Sequence, residues 1–220
     1  CQQPVIMVGD EVWRCGAQAE VLELAEWLGA AVMAGNQSHR SFPTQHPYFF
    51  GMGRWLGRLP ESADLFISIG AKTTTWGMSE TEMNWPAQEK SIAIGLDPDQ
   101  MGRTYPLDLA MVANVKQATR ALLDALKSDG HDGRMETIRS ARHEDLATRS
   151  AARQAEQEKA LQANFRKTPI HPSRLGYELQ QALPGGTLFC VEQFTADHTP
   201  IAFGFRAGEK VWVGASGGSL

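Results

Sequence analysis

The side chains able to do chemistry in this chain are few and dispersed. Cys1, Cys15 and Cys190 form no Cys-x-x-Cys pair and no Cys/His ligand spacing. An odd, widely separated set is expected to be reduced and incidental, in a cytosolic protein, rather than a disulfide framework. His46 lies in a His-Pro turn, and with Trp13, Trp27, Trp55, Trp76 and Trp85 it hints at a ligand box. Tryptophans so scattered are expected in core and interdomain packing instead. His39 and Arg40 beside Ser41 have the makings of a small anion site, against the ordinary reading of exposed loop charges. Lys72 has the chemistry to meet a phosphate and is read as a solvated loop lysine. His198 has the chemistry of an acid-base group and is read as a helix-face histidine. These residue types assign no catalytic group and no metal ligand.

The elements that must position them follow from apolar patterning. Pro4 to Gly9 is a short continuous apolar run, the mark of a strand buried on both faces. Ala17 to Leu28 repeats apolar residues at helical spacing and stops at Gly29. Ala30 to Ala34 is a second strand, so the chain opens as strand-helix-strand, which favours a parallel sheet. Residues 35 to 60 predict a loop with one short helix near Tyr48 to Gly51. Asp64 to Gly70, Ser91 to Leu96 and Leu109 to Ala113 predict three further strands, and Val115 to Lys127 a closing helix with Leu122, Leu123 and Leu126 inward. The expectation for residues 1 to 128 is a doubly wound α/β domain. Gly9-Asp10 ends its first strand, where such folds accept ligands. No Gly-x-Gly-x-x-Gly fingerprint accompanies it.

Composition then shifts. Residues 129 to 168 read as a polar turn and a helical connector, rich in Ala, Gln, Glu and Arg, whose sparse Ile138, Leu146, Leu161 and Phe165 must lie on another surface. Residues 169 to 220 read as the opening of a second α/β domain. It should hold a helix from Pro172 to Leu183, a strand from Thr187 to Val191, a helical stretch near His198 to Phe203 and a strand from Lys210 to Gly214. Residue 1 is Cys rather than Met, and the last residues run into a glycine-rich turn. Both ends are therefore expected to be cuts through a longer protein.

The bulk numbers exclude some classes. The 220 residues carry a formal net charge of −4, with 42% hydrophobic and 21% charged residues. Scattered Lys and Arg argue against nucleic-acid binding. No apolar run reaches the roughly 18 residues of a membrane helix.

Four stretches together resemble the superfamily of thiamine-diphosphate-dependent 2-oxo-acid decarboxylases and carboligases, which includes acetolactate synthase and benzoylformate decarboxylase. They are Pro4 to Asp10 with Gly16 to Glu20 and Leu24 to Ala30; Ser41-Phe-Pro through His46-Pro to Gly51; Ala63 to Ala71 with Ile94 to Leu96, Asp97-Pro-Asp and Gly102 to Leu109; and Glu192 with Ser216 to Leu220. The resemblance covers essentially the whole chain. It implies a Rossmann-like middle domain, a helical connector and a truncated start of the cofactor domain.

The resemblance implies an enzyme that decarboxylates a 2-oxo acid and protonates the resulting enamine or joins it to an acceptor, using thiamine diphosphate and magnesium. It implies cofactor contacts from Gln193, Phe194 and Thr195 against the diphosphate. Gly217 and Gly218 would let backbone approach the pyrimidine, since a Cβ would block it. Leu220 would be the bulky support beneath the bent cofactor. The activating glutamate and the Gly-Asp-Gly…Asn magnesium motif of the family are not in this stretch, so the piece alone should be inactive and bind no cofactor. Where FAD-binding relatives carry an arginine-rich stretch, this chain has Gly70-Ala-Lys-Thr-Thr-Thr75, which argues against FAD. The parent is expected to be a cytoplasmic homodimer or homotetramer acting on a small-molecule substrate. The competing readings are a nucleotide- or FAD-binding module without catalysis, which leaves the unit after Pro169 unexplained, and a purely structural assembly domain.

Overall fold

The computed structural model describes residues 1–35, 40–52, 63–71, 90–103, 106–129, 132–190 and 201–212. The first strand, β1 (Pro4–Val8), is buried along its whole length, as a central strand with no polar side chain must be. A short helix α1 (Asp10–Arg14) and the longer α2 (Gln18–Leu28) lead to β2 (Ala31–Ala34). Gly29 closes α2 in the left-handed conformation, φ 60°, where glycine carries no Cβ penalty.

The remaining strands are β3 (Phe49–Met52), β4 (Leu65–Ile69), β5 (Lys90–Gly95) and β6 (Leu109–Val112). All pair in parallel, in the order β3-β2-β1-β4-β5-β6. That is the doubly wound α/β order, and the chain reverses direction across the sheet between β1 and β4. The parallel-sheet expectation for this region is met. Helix α3 (Val115–Ser128) follows β6, starts at Asn114, whose side chain accepts from the Gln117 amide, and sinks Leu123 into the core. It lies along α2, and Glu23 of α2 receives both Arg120 (2.9 Å) and Lys127 (2.5 Å).

Two expectations are corrected, and one element is added. The helix expected near Tyr48 to Gly51 is the edge strand β3. Tyr48 O accepts from Val32 N, and aromatic Phe49 and Phe50 suit a pleated surface better than a helix. Four residues are too few to show a period, and Gly51, at φ 117°, lies outside helical geometry. The helix expected from Ala17 to Leu28 is α2, and the short α1 from Asp10 to Arg14, which was not expected, precedes it. Of the helical stretch expected near His198 to Phe203, residues 198–200 lie outside the described residues, and residues 201–203 are not helical. Phe203 instead exchanges bonds with Thr44: its amide donates to Thr44 Oγ1 (2.9 Å) and its carbonyl accepts from the Thr44 amide (2.9 Å). Bonds to another segment have replaced bonds along a helix.

Beyond α3, helix α4 (Asp132–Asn164) runs for 33 residues, about 50 Å. It buries Leu146 in the main core. Three polar residues tie it to the sheet unit. Arg142 donates to the Leu28 and Cys1 carbonyls, His143 meets Tyr48, and Arg153 donates to the Phe49 carbonyl. Arg153 also stands over the Phe50 ring, so α4 covers the edge strand β3. Helix α5 (Pro172–Ala182) starts at His171, whose ring accepts from the Ser173 amide. Strands β7 (Leu188–Phe189) and β8 (Val211–Trp212) pair in parallel as a separate two-stranded sheet. Phe189, Ile201 and Phe203 form a small second core there.

Candidate functional site

The carboxyl ends of β1 and β4 flank the point where the strand order reverses, the place where such sheets bind ligands. In this chain the two strand ends touch. Gly9 N donates to Ile69 O (2.9 Å), and a Cβ placed on Gly9 would stand 1.8 Å from the Gly70 carbonyl oxygen. Gly70 itself has φ +59°, and a Cβ there would meet the Glu11 side chain at 2.7 Å. Glycine is demanded at both positions by contact, and at Gly70 by backbone conformation as well.

Helix α1 begins in this crevice. Its Glu11 amide donates to Gly70 O (3.2 Å) and its Val12 amide to Gly9 O (3.3 Å). The Glu11 carboxylate is buried and crosses to the end of β5, where Oε2 accepts from the Leu96 amide at 2.8 Å. A cavity of about 20 Å³ remains beside it, lined by Glu11, Ser68, Gly95, Asp97, Gln100 and Met101. Among the described residues that is room for a water. A five-residue helix with Asp10 and Glu11 in its first turn offers an anion little attraction.

Ser41 is fully buried and donates to the Gly9 carbonyl at 2.7 Å, so it braces the crevice instead of joining an anion site. Arg40 stacks its guanidinium 3.5 Å above the Trp13 ring, and burial pulls its pKa down from the usual value. His39 and Lys72 lie outside the described residues. Trp27 is core and Trp13 partly exposed under Arg40; Trp55, Trp76 and Trp85 also lie outside.

A second polar cluster forms where α4 crosses the loop before β3. Tyr48 Oη and His143 Nδ1 are 2.8 Å apart, His46 Nε2 faces Glu26 Oε1 at 3.4 Å, and His46 Nδ1 accepts from the Tyr48 amide at 3.2 Å. Burial lowers the His46 pKa, Glu26 opposes that shift, and His143 and Arg206 add to it. Burial also raises the Tyr48 phenol, with Glu26 acting the same way. The cleft beside these residues is about 380 Å³ and is further lined by Glu136 and Arg139. Sequence reasoning weighed His46 alone; Tyr48 and His143, 95 residues apart, carried no local signal of their pairing. It also passed over Glu11, although a carboxylate two residues after a strand-ending glycine was visible.

Among the described residues no group of three or more His, Cys, Asp or Glu is arranged to hold a metal ion. The six expected cofactor contacts, Gln193, Phe194, Thr195, Gly217, Gly218 and Leu220, all lie outside the described residues, as does His198. No described helix is long and apolar enough to cross a membrane.

A parallel sheet ordered β3-β2-β1-β4-β5-β6, with glycines meeting at its reversal point, defines a doubly wound α/β domain. Residues 1–122 match the family model described as thiamine pyrophosphate enzyme, central domain, and the chain belongs to that family. It is 28% identical over 205 residues to a sulfoacetaldehyde acetyltransferase of Alcaligenes xylosoxydans xylosoxydans, covering 82% of this chain and 34% of that protein. An acetolactate synthase of Mycobacterium avium is 27% identical over 140 residues, covering 61% of this chain and 22% of that protein. A sulfoacetaldehyde acetyltransferase of Roseovarius nubinhibens is 29% identical over 140 residues, covering 59% of this chain and 23% of that protein. The chain spans roughly a third or less of the length of these curated relatives. The kinship expected from the sequence is thereby met, and the family is one of thiamine-diphosphate-dependent enzymes.

Proposed function

We propose that these 220 residues are the middle domain, the connector and the opening of the cofactor domain of a thiamine-diphosphate- and magnesium-dependent enzyme. The parent releases carbon dioxide from a 2-oxo acid and passes the remaining carbon unit to a proton or to an acceptor. The observation that carries the domain layout is the 205-residue alignment with a sulfoacetaldehyde acetyltransferase, which is longer than the 122-residue central-domain match, and the likeness to acetolactate synthases supports the 2-oxo-acid chemistry. A free-standing nucleotide module would have no use for α5, β7, β8 and the second small core.

Thiamine diphosphate, when bound, supplies the electron sink for the bond to carbon dioxide. The residues of this chain assigned to its contact are Gln193, Phe194 and Thr195 for the diphosphate and Gly217, Gly218 and Leu220 for the rings. The described residues serve as scaffold. They build the sheet unit and fasten α4 and the 201–206 segment to it. No FAD is assigned to the sheet unit, a reading supported among the described residues by the Gly9–Gly70 contact and by the Glu11 and Val12 amides being bonded to Gly70 and Gly9 carbonyls. The parent is assigned to the cytoplasm, as a homodimer or homotetramer.

The piece by itself is inactive in this account. Calorimetric titration of the 220-residue chain with thiamine diphosphate and magnesium should give no binding heat, and FAD, ADP and NAD should leave its melting temperature unchanged. Micromolar affinity for thiamine diphosphate would show that the cofactor is held by this stretch alone and would overturn the division of labour.

A further inference from the structure

At the loop of residues 42–48 three separate elements meet through ionisable side chains. Helix α2 brings Glu26, α4 brings His143, Glu136 and Arg139, and the 201–206 segment brings Arg206. His46 stands between them. Its two ring nitrogens have different tasks. Nδ1 accepts from the Tyr48 amide at 3.2 Å, which requires that nitrogen to be unprotonated; Nε2 then carries the hydrogen and faces Glu26. The backbone amide has no other role to adopt, so an imidazolium at His46 would set two donors against each other.

We propose that His46 is a pH-operated latch, whose protonation loosens α4 and the 201–206 segment from the loop together. Tyr48 links the latch to α4, because its phenol meets His143 Nδ1 at 2.8 Å while its amide is the donor to His46. Thr44 links it to the other segment through the paired bonds with Phe203. A charge on His46 is repelled by His143 from the first element and by Arg206 from the second. Glu26 is the attractive counterpart, while Glu136 and Arg139, which pair with each other, offset one another.

The sign follows from the balance. Burial, the largest influence on His46, holds the imidazole neutral in the docked state and lowers its pKa below the free value; Glu26 recovers only part of that shift. A histidine depressed by docking contributes fully above the free imidazole value of about 6.5, and its contribution is lost as pH falls below that value.

The test is amide hydrogen exchange on the 220-residue chain between pH 7.5 and pH 5, corrected for the intrinsic pH dependence of exchange. Residues 42–48, 139–150 and 201–206 should lose protection together, severalfold or more, while β1 and β4 keep theirs. His46→Asn, whose Oδ1 can accept from the Tyr48 amide without titrating, should remove the pH dependence. Glu26→Gln removes the one attraction that favours the charged ring, so the midpoint should move to lower pH. Glu26 is exposed on α2, so this arm decides the matter even if His46→Asn does not fold. The latch is overturned by equal loss of protection in β1 and β4, by pH-independent protection in the natural chain, or by an unmoved midpoint in Glu26→Gln.

Discussion

Glu11 and Leu96 lie 85 residues apart, and a carboxylate oxygen of the first accepts from the amide of the second at 2.8 Å. This bond joins the start of α1, which follows β1, to the end of β5 across the intervening strand β4. It satisfies a backbone donor just past the carboxyl end of an interior strand, beside the crevice where sheets of this kind bind ligands. Replacing Glu11 by Ala should therefore cost about 1–3 kcal/mol, the penalty for stranding a partly buried donor. Glu11→Gln, which keeps an acceptor in place, should lose less than half of that. Urea denaturation of the two variants checks the difference.

Gly9→Ala tests the contact between the strand ends. The new Cβ would fall 1.8 Å from the backbone oxygen of Gly70, which no side-chain rotation can relieve. Overpacking costs about 1–3 kcal/mol where neighbours can yield, and here the neighbour is backbone. We expect a variant that melts at least several degrees lower or fails to fold, in contrast to Gly16→Ala, where open space surrounds the site and only the positive φ of 63° opposes a side chain.

Much of this sheet unit was legible in the sequence because central parallel strands are uniform in composition. Pro4 to Val8 is apolar throughout, Leu65 to Ile69 is apolar but for the buried Ser68, and Gly29 stops α2 at the expected place. The edge strand β3 was not legible, since four residues flanked by His-Pro and glycine look like loop and acquire strand character only by pairing with β2. The Glu11 bridge and the Tyr48–His143 pair were hidden for another reason: both depend on how distant elements come together, which no local pattern encodes. The expected cofactor contacts at 193–195 and 217–220 rest on kinship alone, because they lie outside the described residues.

Helix α4 should depend on a few anchors, since most of its length is polar. Leu146 is its buried apolar residue in the main core, and Leu146→Ala should cost about 2–5 kcal/mol if the helix stays docked. Arg142→Met keeps the aliphatic stem but removes the donors to the Leu28 and Cys1 carbonyls. Its cost should be about 1–3 kcal/mol. Chemical denaturation measures both, and hydrogen exchange should show the loss centred on α4 and the C-terminus of α2.

Acid should act on the β5–β6 edge through Asp108. Its pKa is lowered first by the hydrogen bond from Lys90 at 2.7 Å and then by the Ser91 amide at 2.8 Å. A carboxylate depressed by folding contributes fully above its free value of about 3.9, and that contribution is lost as pH falls through the folded value. Asp108→Asn should flatten the decline in melting temperature below about pH 4 and leave the curve above pH 5 parallel to that of the natural chain. Melting curves collected from pH 2 to pH 7 decide this.

The central proposal is that this chain belongs inside a thiamine-diphosphate-dependent enzyme that consumes 2-oxo acids. The most direct measurement is carbon dioxide release by the full-length parent, purified free of cofactor and supplied with a panel of 2-oxo acids with and without thiamine diphosphate and magnesium. The account predicts release from at least one acid that appears only when the cofactor is added. Full-length, folded parent that binds the cofactor yet consumes none of the acids, or consumes them equally without it, would contradict it.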